Sequence, residues 1–198
     1  MVNDRHSRYS NSGNSLHSWV SHRIDSVSHT ALKVKSTIYD LLKTIAPNKS
    51  LVYEDYYGFD VLLIPDEVID RDEQLAALRK KYPFIAGITR MEPNTAYNWH
   101  KDTNRSGVVN MMIDHVNSHC LFTPEAEARV SEISELNYEP KTYHIFNTQV
   151  AHMVVNLEGY RYMFTLEFSV TVTYENLLDF FEVKNDRNAI VVNDDSMV

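Results

Sequence analysis

Hydrophobic and polar positions change their spacing part-way along this chain. Leu32, Val34, Ile38, Leu41, Leu42 and Ile45 approximate one apolar face, and Pro47 stops it, so the spacing predicts a helix over 31–45. Residues 59–64 (Phe-Asp-Val-Leu-Leu-Ile) read as a buried strand. A second helical region follows, with Asp66 or Asp70 as its cap, Leu75, Leu78 and Tyr82 facing inward and Pro83 ending it. From residue 84 the pattern turns to strands: 84–90, 97–102, 108–113, 119–122, 142–147, 152–156 and 160–173. The last is the clearest. Tyr160, Tyr162, Phe164, Leu166, Phe168 and Val170 form one face, and Arg161, Met163, Thr165, Glu167 and Ser169 the other. Helices first and short strands afterwards predict an α+β fold that is mostly β, a sandwich or barrel with the helices outside. Arg161 would then point into the interior, where a cation must find a partner.

The 198 residues suit one domain with a real core, preceded by a polar arm over 1–30 rich in Ser, Asn and His. That arm is expected to be flexible, and an oligomer or assembly could form through it. Its His6, His17, His22 and His29 suggest either metal binding or a solvated polar segment. The single cysteine, Cys120, excludes an intrachain disulfide and suits a reducing compartment. No apolar run reaches the roughly 20 residues of a bilayer span, and the N-terminus lacks an apolar signal core. A cytoplasmic protein is expected, in the host cytoplasm if the source is viral. Residues 1–50 carry seven Lys/Arg against three Asp/Glu, and residues 51–198 carry twelve against twenty-four. The acidic body disfavours nucleic acid as a partner.

Candidate chemistry centres on His100-Lys-Asp102, then His152, then Arg161. On an extended segment, residues i and i+2 point the same way, so His100 and Asp102 could share one ion. With nine His in the chain, a His-x-Asp triplet is close to what chance supplies. His152, on a separate strand, would close a facial triad of two His and one carboxylate, leaving metal positions open. A core histidine is the alternative reading. Arg161 follows after a turn at Leu157-Glu158-Gly159; its planar fork of donors matches a carboxylate, and an ion pair with Glu158 or Glu167 is the alternative. Arg105 and Asn110 lie close enough in sequence to reach a co-substrate or substrate; a surface turn residue and a strand hydrogen-bonder are the plainer readings. Tyr97 and Trp99 could line a pocket or simply pack. His115, His119 and Cys120 are a rival metal set, though Asp114–His119 reads as a turn between strands and no fourth ligand is evident.

The ordered set His100-x-Asp102…His152…Arg161 resembles the iron- and 2-oxoglutarate-dependent oxygenase superfamily. The stretch Tyr143-His-Ile-Phe-Asn-Thr-Gln-Val-Ala-His152-Met-Val-Val-Asn156…Arg161 is most similar to its aspartyl/asparaginyl β-hydroxylase-like branch. There a Phe-Asn segment precedes the distal His, Val and Asn follow it, and an Arg starts the next strand. The resemblance covers roughly residues 84–170.

It implies a double-stranded β-helix (jelly-roll, cupin-like) over 31–198, with the N-terminal helices packed on the outer face. It implies His100, Asp102 and His152 as ligands of Fe(II), and Arg161 as the partner of the distal carboxylate of 2-oxoglutarate. With O2 as the oxidant, it implies a dioxygenase that hydroxylates a peptidyl or small-molecule substrate. Two departures stand out. Many relatives carry Ser or Thr two residues after the Arg, where this chain has Met163. Some hydroxylases of the branch lack the carboxylate ligand, whereas Asp102 is present. A non-catalytic β-helix module for assembly or binding, and a hydrolase at a cupin-like metal site, are the competing expectations.

Overall fold

The computed structural model describes residues 32–56, 59–103, 105–123 and 133–191. The polar arm and its four histidines lie outside the described residues. The elements run β1 (Leu32–Lys35), α1 (Tyr39–Ile45), β2 (Glu54–Tyr56), β3 (Phe59–Ile64), α2 (Asp66–Ile69), α3 (Glu73–Lys81), β4 (Phe84–Met91), β5 (Thr95–His100) and β6 (Gly107–Asp114). They continue β7 (Asn117–Thr123), β8 (Ser134–Glu135), β9 (Thr142–Asn147), β10 (Ala151–Glu158), β11 (Arg161–Phe168) and α4 (Tyr174–Val191).

The strands form two antiparallel sheets. The larger has seven strands in the order β1-β9-β6-β11-β4-β3-β2, and the smaller has four in the order β5-β10-β7-β8. The alternation along β11 sorts its two faces as the sequence predicts. Phe164 and Leu166 join the main core beneath α1, α3 and α4, together with Val109, Met111, Ile113, Tyr143 and Ile145 from β6 and β9. Arg161, Met163, Thr165 and Glu167 face the other sheet across a cavity. A smaller apolar cluster of Val108, Cys120, Phe122, Leu136 and Phe146 closes one part of the space between the sheets. β6 is buried on both faces, which is why its sequence reads as a nearly continuous apolar run.

Three expectations are corrected. The helix over 31–45 begins only at Tyr39; residues 32–35 pair as a strand with β9. Leu32 and Val34 alternate with Lys33 and Lys35, a period of two that an open sheet edge can use. The cap of the second helical region is Asp72, not Asp66 or Asp70. Its side chain accepts from the N–H groups of Gln74 and Leu75, while Asp66 and Asp70 both pair with Arg79. The final strand ends at Phe168 and not at 173, and a helix follows. Thr173 and Asn176 cap that helix reciprocally, each side chain accepting from the other's backbone N–H. Its Leu177, Phe180 and Phe181 enter the main core. Gly107 lets it approach: a Cβ there would sit 2.9 Å from Tyr174 Cα. No helix among the described residues is long and apolar enough to cross a membrane.

Candidate metal centre

Two neighbouring strands of the smaller sheet deliver the ligands. β5 ends on His100, β10 begins with Ala151-His152, and the register sets His152 opposite His100. Their rings stand 4.2 Å apart between centroids. Asp102 lies just beyond the end of β5, where its N–H donates to Thr148 O at 3.2 Å. One ligand atom from each of His100, Asp102 and His152 lies within 4.8 Å of the others. Asp102 Oδ1 is 3.5 Å from His100 Nε2 and 3.9 Å from His152 Nε2.

The tautomers suit a metal. His100 Nδ1 faces Asn98 O at 2.7 Å, and His152 Nδ1 faces Val150 O at 3.0 Å. A carbonyl can only accept, so each Nδ1 must carry the proton and donate it. Each Nε2 then turns an unshared pair toward Asp102. Burial holds the His152 pKa below the ordinary imidazole value, and the nearby His100 pushes the same way, against the Val150 carbonyl. A neutral imidazole is what a metal ligand must be. Phe122 stacks on His152 at 5.7 Å, Phe146 meets it edge-on at 6.4 Å, and Tyr97 stands 4.2 Å from His100. These rings make an apolar wall behind the polar donors. Two imidazoles and one carboxylate on one side of a point, with the opposite side open to the cavity, fit Fe(II) with exchangeable positions.

The loop carrying Asp102 is held by the turn before His152. Thr148 Oγ1 donates to Arg105 O at 2.9 Å, and Gln149 Nε2 donates to the carbonyls of Asp102 and Arg105, each at 2.8 Å. The Thr-Gln pair of the Phe-Asn-Thr-Gln-Val-Ala-His stretch thus fastens one ligand loop to the other. Arg105 lines the same cavity, and its Nε donates to Asp102 Oδ2 at 2.5 Å. Oδ1 is left facing the histidines.

Arg161 opens β11, opposite Met91, and is 7% exposed. Among the described residues neither Glu158 nor Glu167 pairs with it, and its Nε has no hydrogen-bond partner. It lines a cavity of about 670 Å³ that also contains the three metal-binding candidates. Asn110 and Tyr138 line it too, both buried, with the Tyr138 hydroxyl set against Asn110 and Cys120. Burial pushes the Tyr138 phenol and the Cys120 thiol up, so both stay neutral beside Arg161. A buried guanidinium with no ion pair among the described residues is costly unless an anion completes it. A carboxylate of matching planar shape fits that vacancy of charge.

The rival metal set does not assemble. His119 is engaged by Glu135 at 2.7 Å and Asn117 at 2.9 Å, while Cys120, the next residue on the strand, is buried on the inner side. Among the described residues, only His100, Asp102 and His152 gather in metal-binding geometry. Tyr97 lines the cavity. Reading the sequence missed Tyr138, Thr148 and Gln149. The last two stand inside a stretch whose order carried the family resemblance, and Tyr138 has no local signal at all.

No family model and no curated protein matches the sequence. Solved structures do match the fold. A prolyl-4-hydroxylase from Pseudomonas putida superposes with a TM-score of 0.50 at 12% identity, over 75% of this chain and 97% of that one. EvdO2 from Micromonospora carbonacea var. aurantiaca gives a TM-score of 0.50 at 10% identity, over 74% of this chain and 89% of that one. This chain is a double-stranded β-helix. In this fold the smaller sheet presents His100 and His152 at its rim, and the larger sheet lays Arg161 inside.

Proposed function

We propose that this protein is an Fe(II)- and 2-oxoglutarate-dependent oxygenase of the hydroxylase type. One observation carries the reading: three potential metal-donor atoms within 4.8 Å of each other share a cavity with a buried Arg161 that has no ion pair among the described residues. His100, Asp102 and His152 would hold Fe(II), and Arg161 would hold the far carboxylate of 2-oxoglutarate. Bound together with O2, that pair supplies the oxidative decarboxylation of 2-oxoglutarate to succinate and CO2, with one oxygen atom passing to a substrate C–H bond. The chain's own residues set the conditions. The Asn98 and Val150 carbonyls fix both imidazoles in the ligating tautomer, and Arg105 holds the outer oxygen of Asp102. Phe122 and Phe146 keep water from the protein side of His152.

In this reading Asn110 and Arg105, which both line the cavity, stand beside the co-substrate, and Arg105 also holds Asp102. The Tyr143–Asn156 stretch supports a place in the aspartyl/asparaginyl β-hydroxylase-like branch. The substrate is a peptide segment or a small molecule, and the protein acts in the cytoplasm, a host's if the source is viral.

The test is turnover. Purified chain with Fe(II) and 2-oxoglutarate in air should release succinate, slowly without substrate, and His100→Ala and His152→Ala should abolish it. Succinate release that is unchanged in both variants would overturn the reading. Metal analysis after anaerobic purification separates it from a hydrolase: iron is expected, and stoichiometric zinc with no succinate would favour the hydrolase.

A further inference from the structure

The inner face of β11 carries charge at both ends. Arg161 stands at one, and Glu167 stands six residues on, roughly 20 Å along the strand. The register locates Glu167 relative to the metal centre. Thr165 opposes Asn110 and Val108 opposes Phe146. Two residues past the Thr165–Asn110 pair, on antiparallel strands, Glu167 is level with Val108 and so with Phe146. Phe146 in turn packs against His152. Glu167 is therefore two strands, roughly 10 Å, from the backbone beside the metal site. It sits at the metal end of the cavity, far from Arg161, and has no cationic partner among the described residues.

The side chains beside it on the larger sheet are apolar and exposed. Ile85, directly opposite Glu167, is 45% exposed, and Leu63, on the next strand, is 58% exposed; both line the cavity. Among the described residues, Tyr97 of β5 packs on β3 at Phe59, with the rings 4.8 Å apart, while Leu63 and Ile85, farther along β3 and on β4, stay exposed. The strip ends in one carboxylate that has no ion pair among the described residues.

We infer that this strip is the substrate groove and that it takes a cation on an apolar stem, a lysine- or arginine-like group held by Glu167. The inference rests on the oxygenase reading for the role of the cavity, and Glu167 adds the charge of its ligand. An aliphatic stem would cover Leu63 and Ile85, and its charged head would meet Glu167. The net charge of −8 draws cations toward the protein and repels anionic competitors. Basic residues of peptides and free amines share this chemistry.

The test is an NMR titration of the full-length chain, metal-free and again with Fe(II) and 2-oxoglutarate under anaerobic conditions. The probes are N-acetyl-lysine methylamide, N-acetyl-norleucine methylamide, N-acetyl-glutamate methylamide and hexylamine. The lysine probe or hexylamine should bind about fivefold tighter than the norleucine probe, with the glutamate probe weakest. Glu167→Gln should erase that preference, and Glu167→Lys should turn it toward the glutamate probe. Glu158→Gln, at an exposed position outside the cavity, should leave it intact. A lysine probe tighter than hexylamine identifies a peptide source, and the reverse order a free amine. Equal binding of the lysine and norleucine probes, or a preference that survives Glu167→Gln, overturns the inference. Failure of the oxygenase reading shows separately, as no binding of metal or 2-oxoglutarate by the wild-type chain.

Discussion

In the proposed centre Asp102 would bind the metal through one oxygen, and Arg105 holds the other. Its guanidinium meets Asp102 Oδ2 while Oδ1 faces the two imidazoles. Arg105→Met should therefore weaken Fe(II) binding about tenfold or more, with Arg105→Lys recovering part of the loss, measured by competition with a chelating dye. His144 makes a second prediction. It is buried, and desolvation pushes its pKa down to about 4, against the Thr142 carbonyl. The unfolded chain takes up this proton near 6.5, so between about pH 6.5 and 4 the unfolded state binds more protons than the folded one. Stability is then full above pH 6.5 and falls as the pH drops through that window, by about 2 kcal/mol at pH 5. Urea midpoints at pH 7.5 and 5 should show it, and His144→Gln should shrink the difference. His152, also lowered, acts in the same direction. At this scale the sequence shows which groups carry chemistry. It does not show whom Arg105 faces, because Arg105 sits in a loop whose path depends on Thr148 and Gln149.

Elements were legible where alternation is strict and both faces have a fixed environment. β3 and β9 match their predicted spans, and β11 sorts its two faces as read from its sequence. The segment 32–35 was not, because Leu32 and Val34 fit either period and only the free edge of β9 decides for a strand. α4 was obscured by Val170-Thr-Val-Thr173, four residues of β-branched character that prolong the strand reading before the cap at Thr173. Asp72 shows how elements are joined. Beyond capping α3, it accepts from Thr37 N and Thr37 Oγ1, both at 3.0 Å, and from the Tyr143 hydroxyl at 2.9 Å. One buried side chain thus ties the start of α1, α3 and β9 together. Asp72→Ala should cost about 2–4 kcal/mol in denaturant unfolding, since it removes a cap and orphans a buried hydroxyl. The metal affinity of the folded variant should not change, because none of these contacts touches the ligand loops.

Across the whole molecule, the cavity sets stability against function. Arg161 is 7% exposed and unpaired among the described residues, a charge held between two sheets for a ligand. Arg161→Met should make the ligand-free protein more stable, by about 1–2 kcal/mol in urea, because an apolar chain of similar length replaces an unsatisfied cation. The same variant should lose the rise in Tm that 2-oxoglutarate gives the metal-loaded wild type. A variant less stable than wild type without ligand would show that Arg161 has a structural partner.

The sequence by itself determined the parts. Period-two alternation made the strands, since side chains of a pleated strand must face opposite environments. The order of His100, Asp102, His152 and Arg161 named the groups able to hold a metal and a carboxylate. Tertiary structure decided the rest. Pairing of β5 with β10 turned a near-chance triplet into a site, because two imidazoles become ligands only when their unshared pairs converge. Among the described residues, Leu63 and Ile85 stay exposed beside that site, with Glu167 half-buried next to them. Neither result is local: convergence and exposure depend on which strands meet, and that is settled by the burial of the whole outer face beneath its helices.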